Sequence, residues 1–440
     1  MRSTAILSPG AGLRFLFTRA AKLFSGHVIA AAIGLASLSL VARTLGPEGM
    51  GILVLIVAYA AIADRLINFQ SQQAIIRYGV AAHDRGAIKG FGKLIRFGLG
   101  LDFSTALVAT ALAFAFAPII AGWLGWTEPV ATLLQLYSLT ILSHIRGTPM
   151  AVLQIYDKYG IVARIEVLNA IFRLIGCIIL FFGGGGIAFA VLVYALSSVL
   201  GSFLLIYAAA NQLVGRGIAI FERIQIRGLS AEFPGIWAYV WTTNLNSSIR
   251  MTSREVDVFV VEVVLGTVAV GLYRIAKQVA SVVERLIAPL YKVIYPMLAA
   301  HVAKGEFAEL RRLSSYSAAG LATIAALIWL SIFLGGTDLL KILFGNEFVG
   351  AYSVLVWYIL ALVVAAASFP LQPIMLSFGR PQLTFWVHLV STVIYFFSLY
   401  NLMVWHELAG AGVAYLIYYG FWSVTMFVLI SRRMRRERHA

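Results

Sequence analysis

The chain has 440 residues, of which 61% are hydrophobic and 12% are charged, and its mean hydropathy is +0.89. A soluble domain could not cover itself with so few polar residues, so the composition excludes a soluble enzyme and predicts an all-helical polytopic membrane protein. The net charge of +15 would suit a nucleic-acid-binding protein, but its distribution along the chain decides its meaning. The single cysteine, Cys177, excludes a disulfide within the chain.

Apolar stretches long enough to cross a hydrocarbon core of about 30 Å, which takes about 20 helical residues, occur at about twelve places. The first follows several basic residues, as a signal peptide would, but its length exceeds an h-region of about 7 to 15 residues, so we expect it to stay as a spanning helix. The predicted membrane segments 1 to 12 lie near residues 23–42, 51–73, 97–120, 129–153, 163–183, 187–210, 234–256, 267–295, 316–335, 350–376, 383–403 and 409–430.

Lysine and arginine are distributed unequally between the gaps that separate these segments. If the N-terminus is cytoplasmic, 23 of the 34 Lys and Arg residues lie on the cytoplasmic side, 2 lie on the opposite side and 9 lie inside segments. The positive-inside rule therefore predicts that both termini are cytoplasmic and that the number of segments is even. The basic tail, residues 432–440, is interpreted as a topology anchor, and the positive charge is explained without nucleic acid.

The two halves of the sequence resemble each other at a constant offset. The landmarks, each with its counterpart 220 positions later, are Leu45-Gly46 with Leu265-Gly266, Gly51 with Gly271, and Asp64-Arg65 with Glu284-Arg285. Six segments per repeat is an even number, so both copies would insert in the same orientation, related by an axis along the membrane normal, with a cavity between them. We therefore expect an N-terminal six-helix half (1–210), a cytoplasmic linker (211–233), a C-terminal six-helix half (234–431) and the tail.

Segments 7 and 8 carry ionisable residues, which normally face protein or water because placing each in lipid costs about 2.5 to 3.5 kcal/mol. At 100° per residue, four cations of segment 8 share a helical face about 80° wide. Only Asp257 and Glu284 oppose them nearby, so the surplus predicts an aqueous cavity for an anionic guest such as a diphosphate or a carboxylate. The cations of segments 7 and 8 are Arg250, Arg254, Arg274, Lys277, Arg285 and Lys292.

Other segments add Arg65, Arg146 and Arg173 to the predicted substrate-binding set. Each acid of the repeated acid–arginine pairs is expected to meet a cation on a neighbouring segment, because adjacent helical residues point about 100° apart. The alternatives are that these acids only balance charge, and that polar residues of segment 5 only join helices through hydrogen bonds and ion pairs. The candidates for coupling or gating are Asp64, Glu166, Asp257 and Glu284.

Other chemistry finds little support in the sequence. The seven histidines show no metal-ligand spacing, no carboxylate pair stands outside a segment, and no glycine-rich phosphate loop follows a strand. We therefore expect no catalytic residue, no metal site and no cofactor. Coupling to H⁺ or to Na⁺ is left open.

Two stretches carry a family resemblance. The run from Ala42 to Gly51, with Ala74-Ile75-Ile76-Arg77-Tyr78, resembles the opening of the polysaccharide biosynthesis, or Wzx-type O-antigen flippase, family. The stretch from Asp257 to Pro296 resembles that family's seventh and eighth helices. The family belongs to the multidrug, oligosaccharidyl-lipid and polysaccharide (MOP) exporter superfamily, whose fold is MATE-like.

The resemblance implies that the protein moves an anionic lipid-linked oligosaccharide, carried on undecaprenyl diphosphate, from the cytoplasmic to the periplasmic leaflet of a bacterial inner membrane by alternating access. It implies membrane lipids, and the polysaccharide assembly machinery, as partners. A lipid II-type flippase and a multidrug exporter of the same superfamily stay open as alternatives. A membrane glycosyltransferase or polysaccharide polymerase is disfavoured because the outer gaps of this chain are short.

Overall fold

The computed structural model describes the backbone of residues 9–69, 71–218 and 228–438. Side chains are described in these ranges except at 9–28, 83–84, 245–254, 285–293 and 435–438. Over the described residues, the regular elements are all helices, which confirms the predicted all-helical fold class. 

Helices α1 to α14 follow one another with short connections, apart from the stretch between α7 and α8, which includes the undescribed residues 219–227. Two 3₁₀ turns, Leu139–Ser143 and Asn346–Phe348, interrupt the series. The α-helices are α1 (Pro9–Ile67), α2 (Ser71–Asp84), α3 (Ile88–Trp123), α4 (Glu128–Ser138), α5 (Gly147–Ile155), α6 (Tyr159–Gly183), α7 (Ile187–Val214), α8 (Leu229–Glu232), α9 (Ile236–Leu265), α10 (Thr267–Ala303), α11 (Phe307–Phe344), α12 (Ala351–Ser368), α13 (Leu371–Ser377) and α14 (Pro381–Arg438).

Seven helical stretches in the described part of the chain are long and apolar enough to cross a membrane. Two of them, in α1 and α14, pass through a non-helical residue, Gly46 (φ 65°) and Glu407 (φ 49°), and so consist of two helical arms each. At Gly46 the left-handed backbone suits glycine, and Pro47 then starts the second arm. A helical polytopic protein is therefore shown, whereas twelve spans in two repeats stay a prediction.

Predicted segment 4 (129–153) is not one helix. Its interruption contains two polar residues, His144 and Arg146. The chain passes from α4 through a 3₁₀ turn and begins α5 at Gly147. Ser138, Thr140 and Ser143 donate hydrogen bonds from their hydroxyls to backbone carbonyls three or four residues earlier, which competes with the regular helix ladder. Pro149 in the first turn of α5 has no N–H to donate, so the ladder restarts there.

The chain forms two compact units. Unit 1 comprises Met1–Thr44 and Leu55–Val256, and unit 2 comprises Leu45–Val54 and Asp257–Ala440. In unit 1, buried apolar side chains of α2, α3, α5 and α7 form one core cluster, and in unit 2 those of α10, α11, α13 and α14 form another. Large apolar side chains such as Phe103, 50% exposed on α3, cover the outside of these helices, as lipid-facing residues would.

Within unit 2, residues 45–54 pack closely against the first turns of α10. A Cβ atom at Gly51 would collide with the backbone carbonyl of Thr267, and one at Gly271 would collide with the backbone carbonyl of Pro47. The two glycines are 220 positions apart, and so are the two carbonyl groups that they meet. Small residues allow helix backbones to approach this closely, and the contact is reciprocal.

Candidate functional site

A polar cluster in unit 1 is centred on His144, in the interruption between the 3₁₀ turn and α5. Its Nδ1 lies 3.1 Å from Oδ2 of Asp64, near the end of α1, and its Nε2 lies 2.8 Å from Oγ of Ser198 on α7. Asn68 donates from Nδ2 to Oδ1 of Asp64 at 2.9 Å and to the carbonyl of His144 at 3.2 Å. The predicted gating acid Asp64 therefore meets an ionisable group outside its own helix.

Arg146 lies two residues beyond His144 and is held by the same part of α7. Its Nε donates to Oγ of Ser202 at 2.8 Å, and its Nη2 donates to the carbonyl of Ser198 at 3.0 Å. Both partners are neutral groups, and they fix the position of the guanidinium. Because the residue remains exposed, the guanidinium is accessible to a further partner. An anion would meet a pre-oriented planar donor there.

Arg65, the other residue of the first repeated pair, forms an ion pair with α9. Its Nη1 lies 3.0 Å from Oε1 of Glu255, and the two side chains are 28% and 21% exposed. An incoming anion would have to compete with Glu255 for this guanidinium. Arg65 and Arg146 both belong to unit 1, but they have different local partners.

The polar residues of predicted segment 5 lie on α6, and two of them contact α1 or α7. The guanidinium of Arg173 lies 5.6 Å from the ring centre of Tyr194 and next to Gly34. Asn169, one turn earlier on α6, accepts a hydrogen bond from Oγ of Ser197 at 3.2 Å. Glu166 lies on the same helix and is partly buried. These contacts join helices within unit 1, so the interhelical interpretation of segment 5 stays open beside the functional one.

In unit 2, the carboxylate of Asp257 is the centre of a second polar cluster. Lys277 donates from Nζ to its Oδ2 at 2.6 Å, and the Tyr273 hydroxyl donates to the same oxygen at 2.7 Å. The Tyr395 hydroxyl lies 3.5 Å from Oδ2. The side chains of Asp257 and Lys277 are only 4% and 19% exposed, so this is a largely buried ion pair. Two predicted functional residues, one from each set, are thus paired with each other.

Glu284, the counterpart of Asp64 by sequence, accepts a hydrogen bond from the Tyr415 hydroxyl at 3.3 Å. The Tyr415 ring stacks on Tyr358, with centroids 4.0 Å apart, and meets Tyr419 edge-on at 5.0 Å. Glu284 is therefore held by an aromatic hydroxyl, whereas Asp64 contacts a histidine. Arg274 lies on the same helix, α10, and is partly exposed.

Four predicted cations lie outside the described side chains. α9 runs through Ile236–Leu265, and α10 is one continuous helix over Thr267–Ala303. All six predicted cations of segments 7 and 8 therefore lie at helical positions. The residues whose side chains are not described are Arg250, Arg254, Arg285 and Lys292.

Comparison with known proteins now adds to this geometry. The family described as "Polysaccharide biosynthesis protein" matches residues 18–302, which is more than half of the chain. The chain belongs to this family. The resemblance expected from Ala42–Gly51 and Asp257–Pro296 is therefore confirmed.

Single relatives and solved structures agree with the family. "Inner membrane protein YghQ" of Escherichia coli (strain K12) is 26% identical over 342 residues, covering 78% of this chain and 96% of that protein. The "Lipid II flippase MurJ, inward closed conformation" has a TM-score of 0.66 at 14% identity, covering 93% of this chain and 87% of that chain.

An inward-facing "multidrug resistance MATE family transporter of the MOP superfamily" has a TM-score of 0.65 at 15% identity, covering 95% of both chains. At these identities the likeness establishes the fold alone, which is that of MOP superfamily transporters.

The structure of this family member corrects the predicted charge balance of segments 7 and 8. Glu255 lies within predicted segment 7, and α9 continues beyond the predicted end at residue 256 to Leu265, so this helix also carries Glu262. The six predicted cations of the two helices are then accompanied by four acids rather than two. Glu255 forms an ion pair with Arg65, and Glu262 accepts a hydrogen bond from the Thr267 hydroxyl at 2.7 Å. The surplus of positive charge is smaller than the sequence analysis inferred.

Several residues of the two clusters were missed. His144 was set aside among histidines without metal spacing, although it lies two residues from a predicted arginine in a stretch rich in Ser, Thr and Gly. Asp102 on α3 is 1% exposed and accepts a hydrogen bond at 2.8 Å from the backbone N–H of Thr148, in the first turn of α5. The tyrosines of α14 at 415, 418 and 419 follow helical spacing, which was a readable signal for one polar face.

Proposed function

We propose that this protein is a flippase that moves an undecaprenyl-diphosphate-linked oligosaccharide from the cytoplasmic to the periplasmic leaflet of a bacterial inner membrane. Family membership over residues 18–302 carries this proposal. The inner-membrane name of the Escherichia coli relative and the lipid II flippase title of a structural neighbour support it. On this basis the protein is a transporter and not an enzyme, and its partners are the anionic lipid-linked oligosaccharide, membrane lipids and the polysaccharide assembly machinery.

The geometry supports an anionic substrate. Arg146 is exposed although it lies in a polytopic membrane fold, and its hydrogen bonds to neutral groups of α7 pre-orient a planar donor for a phosphate. Arg65 and Lys277 are held by carboxylates that a diphosphate could displace. In lipid such charged groups are costly, so they normally mark a pathway for a solute.

The proposal includes alternating access between two six-helix repeats with both termini in the cytoplasm. The reciprocal contact of Gly51 with Thr267 and of Gly271 with Pro47 supports the repeat, because residues related by the same offset meet each other. The distribution of Lys and Arg supports the orientation. 

Deleting the gene in the native bacterium tests the proposal. Surface polysaccharide should disappear, and the lipid-linked oligosaccharide should accumulate in the cytoplasmic leaflet. A plasmid-borne wild-type gene should restore export, whereas Arg146→Ala should not, although the protein inserts. Arg216→Ala is the matched control, since Arg216 is also exposed on the protein but lies just beyond α7, where its Nη1 bonds the carbonyl of Gln212 at 2.7 Å.

Other outcomes point to the alternatives. Normal surface polysaccharide with increased drug sensitivity would favour the multidrug exporter, and arrested cell-wall synthesis with lipid II accumulation would favour the lipid II-type flippase. Loss of the lipid-linked oligosaccharide itself would favour a membrane glycosyltransferase. An accumulated oligosaccharide in the periplasmic leaflet would favour a polymerase.

A further inference from the structure

The hydrogen bonds around Asp64 determine where a proton can bind in the unit 1 cluster. Its Oδ1 accepts from the amide of Asn68 at 2.9 Å, and its Oδ2 lies 3.1 Å from Nδ1 of His144. When Asp64 is ionised, its carboxylate accepts and does not donate, so Nδ1 carries the hydrogen of this contact. The remaining basic atom of the imidazole is then Nε2, which lies 2.8 Å from Oγ of Ser198.

Ser198 can serve both protonation states of His144. A hydroxyl both donates and accepts, so it can donate to the lone pair of Nε2 when the imidazole is neutral. When a proton from water binds Nε2, the hydroxyl rotates and accepts the new N–H bond. The hydrogen bonds of His144 are therefore kept in both states, and the charge of the imidazolium is balanced by Asp64 at 3.1 Å. The side chains of His144 and Asp64 are 17% and 22% exposed, which leaves a route for a proton.

Charged groups of both signs lie on the elements around His144. The neighbouring titratable and charged groups are Asp64 and Arg65 of α1, Asp102 of α3, Tyr137 of α4, Arg146 just before α5, Arg173 of α6, Tyr194 of α7 and Glu255 of α9. Three of these are carboxylates and three are guanidinium groups, so their charges cancel when all are ionised.

We propose that Asp64, His144 and Ser198 form a proton-binding site, and that proton binding and release at His144 is coupled to transport. The second half of this statement rests on the proposed function, and the first half does not. Chains of Asp, Glu and His inside membrane proteins commonly serve as proton relays. Imidazole is suited to the role because it changes charge near neutral pH.

Proton binding is tested without any substrate. The purified protein in lipid nanodiscs, with ¹⁵N-labelled histidine, should show a His144 signal, identified by its loss in His144→Gln, that gains a second protonated nitrogen as the pH is lowered from about 8 to 5. In Asp64→Asn, the ratio of doubly to singly protonated His144 at a given pH should fall by about fivefold or more, because the imidazolium loses its counterion. His301, which lies 2.7 Å from Glu306 at the end of α10, is the internal control and should not respond to Asp64→Asn.

The result that overturns proton binding is a His144 imidazole that keeps one form over this pH range, or one that is indifferent to Asp64→Asn. Coupling is tested in the gene-deleted bacterium by surface polysaccharide per protein molecule. His144→Gln should abolish export and His301→Gln should preserve it. Normal export by His144→Gln would refute coupling. If deletion itself leaves the polysaccharide unchanged, the proposed function has failed, and the nanodisc titration still decides whether the site binds a proton.

Discussion

The ion pair between Lys277 and Asp257 joins two residues for which separate roles were predicted from the sequence. A substrate-binding role was predicted for the lysine and a coupling role for the acid, yet the two atoms lie 2.6 Å apart in a site where the acid is 4% exposed. Desolvated pairs of this kind add little to stability as a pair, but removing one partner leaves an uncompensated charge. Lys277 and Asp257 therefore depend on each other for charge balance, and an anionic substrate that contacts Lys277 would compete with Asp257 for it.

Asp257→Asn should lower the free energy of unfolding by about 3 kcal/mol, because Lys277 would keep its charge in a largely buried site. Adding Lys277→Met to this variant should restore most of the stability, since the uncompensated charge is removed. Thermal unfolding of the detergent-solubilised protein measures both effects. Asp338→Asn, which breaks an exposed contact of 4.0 Å to Lys341, is the control and should change stability by less than about 1 kcal/mol. An unchanged melting curve for Asp257→Asn would contradict the prediction.

The contact between Arg65 and Glu255 can be tested by exchanging its charges. Arg65→Glu and Glu255→Arg should each lower the unfolding temperature, because each places like charges about 3 Å apart. The double variant should recover stability, with an interaction energy of about 1 kcal/mol or more in a double-mutant cycle. Strictly additive effects would mean that the two side chains do not interact in the membrane-embedded protein.

At the scale of helices, hydropathy alone predicted the bounds of a helix where the chain is uniformly apolar. Predicted segments 5 and 6, at 163–183 and 187–210, correspond to α6 (Tyr159–Gly183) and α7 (Ile187–Val214) within a few residues. Segment 4 could not be predicted as a broken helix, because hydropathy is blind to hydroxyl groups that bond back to the backbone. The consequence reaches the candidate site, since this break positions His144 and Arg146.

Contacts between side chains of different helices could not be predicted from the sequence either. Helical periodicity identifies which side chains of one helix share a face, and it correctly groups the cations of α10 on one helix. It does not show which helix lies opposite. Glu255 was therefore absent from the predicted set, and Asp64 could be expected to meet a cation without the histidine being named.

The contact at Gly51 and Gly271 is an element-scale feature with a direct test. Gly51→Ala and Gly271→Ala should each separate residues 45–54 from α10, because the added methyl group would occupy the position of a backbone carbonyl. Protein abundance and export should both fall. Gly320→Ala on α11 is the matched control, since a Cβ there meets nothing within 4 Å and alanine is favoured in a helix by about 1 kcal/mol. Normal folding and export by both variants would show that the contact is dispensable.

At the scale of the whole molecule, orientation in the membrane can be measured with introduced cysteines in a Cys177→Ala background. Cysteines at Gly184 and Asn346 should react with an impermeant periplasmic reagent, and those at Gly228 and Gly305 should not, because Lys and Arg accumulate on the side of the latter two. Predicted segment 9 ends at residue 335, but α11 continues to Phe344, so Asn346 beyond its end is the probe chosen for this side. The reverse labelling pattern would place the termini outside.

The grouping of residues 45–54 with unit 2 has a consequence for biosynthesis. The chain segment that meets α10 is made about 220 residues before α10 itself, and at about 5 to 20 residues per second this amounts to a wait of about 10 to 40 s. During that interval the nascent protein contains a segment whose packing partner does not yet exist. Ribosome-bound or truncated chains that end before Thr267 should therefore be preferred clients of membrane chaperones and proteases. Rare codons placed between the two partners would lengthen this vulnerable period without altering the finished protein.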